Sequence, residues 1–122
     1  MTTIALRSSR TKTALLWTLQ IATAAMFFMA GISKLAGVSA MVQLFATIGF
    51  GQWFRYLTGA IEVVSATLLL IPSLASFGAA LLIPTMVGAI VTHLFVVGGS
   101  PAIPIALLAA SIAIVFLKWS DR

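Results

Sequence analysis

Lys34, Glu62 and His93 are the residues of this sequence best able to do chemistry, and all three fall in or at the edge of long apolar runs. A charge at the centre of a membrane helix costs about 2.5–3.5 kcal/mol on the insertion scale, so it calls for a partner or a task. A carboxylate beside an imidazole can exchange a proton or hold a polar head group by hydrogen bonds. An ammonium nearby compensates the carboxylate. Arg55 precedes Glu62 by one heptad, which on a helix places it about 10.5 Å away on the same face, at the mouth of any such pocket. One reading is therefore a pocket between helices, formed by Lys34, Glu62, His93 and Arg55, that takes a quinone or a similar lipophilic molecule with a polar head. The other is structural: a Lys34–Glu62 salt bridge pins two helices, His93 bonds a nearby oxygen, and Arg55 is an interfacial anchor. Neither reading assigns a catalytic residue.

Absences narrow the chemistry further. The chain has no cysteine, which excludes a disulfide relay, a thiolate nucleophile and iron–sulfur ligation. One histidine and two acids fall short of a protein zinc site with three or four ligands, so no metal site is expected. A bis-histidine haem would need a second copy or a partner.

The elements that must position these residues are membrane helices. Of the 122 residues, 61% are hydrophobic and 7% charged, and the mean hydropathy is +1.18. Soluble domains carry about 25% charged residues, and seven basic plus two acidic side chains could not cover a soluble fold of this size. A span needs roughly 20 apolar residues, which leaves room for four and makes the chain one domain. The formal charge of +5 is no nucleic-acid footprint, because the basic residues flank apolar runs, where they act as topology signals.

The expected fold is an all-α, antiparallel bundle of four transmembrane helices, over about residues 13–36, 53–71, 74–97 and 102–119. Met41, Leu44, Phe45 and Ile48 recur at helical spacing, which predicts a short interfacial helix between the first two spans, ended by the Gly49-Phe50-Gly51 turn. Pro72 and Ser73 make the next connection, Pro84 is expected to kink the third span, and Pro104 sits in the first turn of the last. Gly88-x-x-x-Thr92, Ala106-x-x-x-Ala110 and Ala109-x-x-x-Ala113 read as bundle seams, with an oligomer contact as the alternative. Gln20 is expected to donate a hydrogen bond between helices, and Gln52 to start one.

Four spans put both termini on one side, with Arg7, Arg10, Lys12, Lys118 and Arg122, against Lys34 and Arg55 on the other. That excess favours a plasma- or inner-membrane protein with cytoplasmic termini. Lys34 and His93 then lie on the order of 5 Å below the outer boundary and Glu62 about 10–14 Å below it.

Gly31-Ile32-Ser33-Lys34-Leu35 closing the first span, Gly59-Ala60-Ile61-Glu62 in the second, the leucine-rich run to Pro72 and the third span with His93 together resemble the DoxX-like family. The resemblance covers about Leu15 to Leu117. It implies a four-helix membrane protein associated with a membrane redox system, with a membrane oxidoreductase as partner. The architecture that the resemblance implies is similar to that of four-helix quinone-linked thiol oxidoreductases, whose chemistry does not carry over to a chain without cysteine. The alternative is a non-catalytic accessory subunit of a larger membrane complex.

Overall fold

The computed structural model describes the backbone of residues 2–119 and the side chains of residues 10–119. The expected topology charges Arg7 and Arg122 lie outside the described side chains. Helix α1 (Thr2–Ala36) begins well before the expected start of the first span. No proline or glycine precedes Gly31, so nothing in the polar start breaks the helical ladder. Its apolar part, Arg10–Ala36, is long enough to cross a membrane.

Helix α2 (Ser39–Ile48) turns the face expected from its spacing inward. Phe45 is buried and Met41, Leu44 and Ile48 are half-buried, while Gln43, Ala46 and Thr47 are exposed. Phe45 meets Phe54 edge-on at 5.8 Å between ring centroids. Gly49 ends the helix in the left-handed region at φ 90 and returns its N–H to the Phe45 carbonyl, a conformation that costs glycine nothing.

Helix α3 (Gln52–Leu69) follows, then α4 (Ala75–Thr92), which continues into a π-helical turn at His93–Val97, and α5 (Ala102–Trp119). Helix α4 runs unbroken through Pro84, which lies on its exposed side. The π turn ends at Gly98, and Ser100 Oγ accepts the Ala102 N–H at the start of α5. Ala75–Val97 and Ala102–Trp119 are, with α1, the three helices long and apolar enough to cross a membrane; α3 falls short in composition. Helix α1 packs on α3, α3 on α4, α4 on α5, and α5 back on α1, while α2 lies against α3 and the π turn.

The core draws on all four long helices: Ala24 and Phe27 from α1, Ala66 and Leu69 from α3, Ala79, Leu82 and Met86 from α4, and Ile114 from α5. The expected seams need correction. Gly88 is exposed, and a Cβ there would meet nothing within 4 Å. Helix α5 buries Pro104, Ser111 and Ile114, while Ala106 and Ala109 face outward. Each small-residue pattern sits in a helix that is apolar on every side, so spacing alone did not reveal which face meets protein and which meets lipid.

Candidate functional site: a buried ion pair between α1 and α3

The site begins with two glycines. A Cβ on Gly31 would lie 2.8 Å from the Gly59 carbonyl oxygen and 2.7 Å from Val63 Cγ2. A Cβ on Gly59 would lie 2.9 Å from Lys34 Cβ and 3.0 Å from the Gly31 carbonyl oxygen. The two backbones therefore touch, as small residues permit. The Lys34 stem crosses the space that a side chain at position 59 would fill, and its ammonium meets Glu62 one turn further along α3.

Lys34 Nζ lies 2.8 Å from Glu62 Oε1, with the lysine side chain 14% exposed and the glutamate 2%. At that distance Oε1 still lacks a partner in hydrogen-bond geometry. The contact is an ion pair at charge-assisted hydrogen-bond distance whose angle departs from the ideal. In a low-dielectric interior the attraction is stronger than on a surface but is offset by the desolvation of both groups, and each charge would be costly without the other.

Arg55 acts on the same corner of the bundle by another route. Gly37, at φ 71, closes α1: its N–H bonds the Lys34 carbonyl and the Val38 N–H bonds the Ser33 carbonyl, each at 3.2 Å. This is a Schellman ending. Arg55 Nη1 donates to that same Lys34 carbonyl, where a cation complements the negative helix end. Arg55 Nε donates to Gln52 Oε1 at 2.7 Å, and the guanidinium lies 4.3 Å from the Tyr56 ring centroid. Arg55 is 5% exposed. The expected interfacial anchor is instead a buried clamp on the end of α1. Gln52 starts α3 and donates to the Val42 carbonyl at 3.0 Å, which ties in α2.

His93 stands apart from this cluster in its bonding. Its Nδ1 lies 3.0 Å from the Gly98 carbonyl oxygen, across its own π turn. A carbonyl only accepts, so Nδ1 carries the proton there and Nε2 of a neutral ring keeps the lone pair. The structure thus joins Lys34 to Glu62 and to Arg55, and gives His93 a local partner.

At the far end of the same helix pair, Gln20 is buried and its Nε2 donates to the Leu69 carbonyl at 2.7 Å. This is the interhelical bond expected of it. Helices α1 and α3 therefore each lend a polar side chain to the last turn of the other. Sequence reasoning passed over Ser65, one turn beyond Glu62, which is fully buried with an unpartnered hydroxyl. Its spacing of three residues from Glu62 was the available signal.

The inward face of α3 is Arg55, Gly59, Glu62, Ser65, Ala66 and Leu69, while Trp53, Tyr56, Leu57 and Val64 are exposed. Polar groups inside and apolar ones outside define a helical membrane protein with a charged interior. The chain belongs to the DoxX-like family, which it matches over residues 18–116. It is also similar to a protein of Bacillus subtilis (strain 168) named "Putative oxidoreductase CatD", with 31% identity over 74 residues, 61% of this chain and 55% of that one. The chain thus spans about half the length of that curated relative. No solved structure matches it.

Proposed function

We propose that this protein is a redox-associated component of the plasma or inner membrane, and that a quinone or similar lipophilic molecule binds beside the Lys34–Glu62 pair. The observation that carries the reading is the pair itself, a carboxylate 2% exposed facing an ammonium at 2.8 Å within an apolar bundle. Glu62 and Lys34 would supply an acceptor and a donor for a polar head, with Arg55, bonded to the Lys34 carbonyl, on the same corner of the bundle. The family match and the relative named an oxidoreductase support the redox association. Native purification followed by mass spectrometry of extracted lipophiles tests it. Quinone is expected to travel with the wild-type protein and to be lost from Glu62→Gln. Wild-type protein free of quinone would favour the second reading.

That second reading is an accessory subunit without chemistry, and the use of Lys34 by Glu62 and of the Lys34 carbonyl by Arg55 to join α1 to α3 favours it. Its mark would be stoichiometric co-purification with a larger membrane complex.

We further propose that α3 is the fourth span, that α2 lies in the interface, and that both termini are cytoplasmic. The charges that lower the hydropathy of α3 point inward, so lipid would meet Trp53, Tyr56, Leu57 and Val64. The chain lacks native thiols, so introduced cysteines report topology cleanly. Val38→Cys is expected to react with an impermeant thiol reagent from outside, and Ile71→Cys only from the cytoplasmic side. Labelling of both positions from the same side would show that α3 does not cross.

A further inference from the structure

Ser65 is fully buried, and its hydroxyl makes no hydrogen bond among the described residues. Its neighbours behave differently. Thr58 and Thr67 on the same helix, Thr85 on α4 and Ser111 on α5 each donate to the carbonyl four residues back. Ser65 takes no such bond to Ile61. A buried hydroxyl without a partner bears its full desolvation penalty, and folded proteins relieve this with a protein group or an ordered water.

Among the described residues the other such buried side-chain oxygen is Glu62 Oε1, whose contact with Lys34 departs from hydrogen-bond geometry. Glu62 precedes Ser65 by three residues on the inward face of α3, so their Cβ atoms are about 5–6 Å apart. Lys34 approaches Oε1 at 2.8 Å, and a carboxylate oxygen has lone pairs to spare after one such contact. Two hydrogen bonds of about 2.8 Å each, in series, let one water join two oxygens as much as about 5–6 Å apart. Helix α4 covers this turn of α3 at backbone contact: a Cβ on Gly78 would lie 2.8 Å from the Ser65 carbonyl oxygen.

We propose that one bound water bridges Ser65 Oγ and the Glu62 carboxylate. Ser65 is then a positioning residue. It holds the carboxylate from one side through the water while Lys34 holds it from the other. The proposal needs no quinone and stands or falls separately from the redox reading.

Glu62 is the only glutamate in the sequence, so protein grown with glutamate labelled at the δ-carbon carries a single reporter. In bilayers, water-edited solid-state NMR measures how fast magnetisation passes from water to that carbon. Build-up is expected to be fast in the wild-type protein and at least twofold slower in Ser65→Ala. Thermal stabilities of Ser65→Ala, Glu62→Gln and the double variant are expected to be non-additive. Should Ser65→Ala fail to fold, Ser65→Cys keeps the volume, is a weak donor, and is expected to slow the build-up likewise. Slow build-up in the wild-type protein, or equal rates with and without the hydroxyl, would overturn the proposal.

Discussion

Glu62→Gln is expected to destabilise the detergent-solubilised protein by about 3–5 kcal/mol, the usual cost of leaving one member of a buried pair alone. The substitution keeps shape and hydrogen-bonding capacity, so the loss reports charge. What remains is the Lys34 ammonium, 14% exposed and formerly 2.8 Å from its counter-ion. Lys34→Met in the same chain is expected to restore part of the loss, because it removes the stranded charge and keeps an apolar stem across Gly59. The lysine carbonyl that Arg55 bonds belongs to the backbone, so Lys34→Met leaves that clamp in place and the cycle isolates the side-chain pair. Thermal unfolding of the two single variants and the double variant supplies the coupling energy. A coupling of 1 kcal/mol or less would mean that the pair behaves as an exposed one, with Lys34 reaching solvent instead of Glu62. If the coupling is large but Glu62→Gln keeps the native quinone content, the pair is architectural.

How much of this was legible in the sequence depended on whether a helix had two chemically different faces. Helix α2 has Gln43 and Thr47 opposite Met41, Leu44, Phe45 and Ile48, so its buried side followed from spacing. Gln20 was legible because an amide in an apolar run has few ways to be satisfied, and a carbonyl at a helix end is one of them, and Gln52 because it follows the Gly49-Phe50-Gly51 turn. In α4 and α5 the period carried no information, since lipid and core both accept apolar side chains. The alanines of α5 looked like a seam while Ser111 and Ile114 made it. For the polar residues the sequence indicated depth but not direction. Glu62 and Lys34 face each other because Gly31 and Gly59 let the backbones meet. Arg55 turned inward to a carbonyl freed by the ending at Gly37, and His93 to the Gly98 carbonyl. Backbone acceptors leave no mark on a side-chain pattern.

Gly59→Val is expected to have the second large effect, and to act on the ion pair without touching either charge. Even a bare Cβ at position 59 would lie 2.9 Å from Lys34 Cβ, 3.0 Å from the Gly31 carbonyl oxygen and 3.1 Å from Leu35 Cγ. Two of those are the start of a side chain and a backbone atom, so neither can swing aside, and α1 must move away from α3. Overpacking of this kind costs about 1–3 kcal/mol, and the γ-methyls of valine place it at the upper end or beyond. Separation of the helices should also lengthen the Lys34–Glu62 contact, so the coupling measured between those residues is expected to shrink in a Gly59→Val background. Gly31→Ala should act in the same direction, because its Cβ would press on the Gly59 carbonyl. Gly88→Ala is the control. It lies in α4 with open space around it, so removal of a helical glycine is expected to leave stability unchanged or raise it by up to about 1 kcal/mol. Equal losses at positions 59 and 88 would indicate a general intolerance of substitution. A loss confined to 59 and 31, with weakened coupling, would show that contact between the two backbones is what brings the charges together.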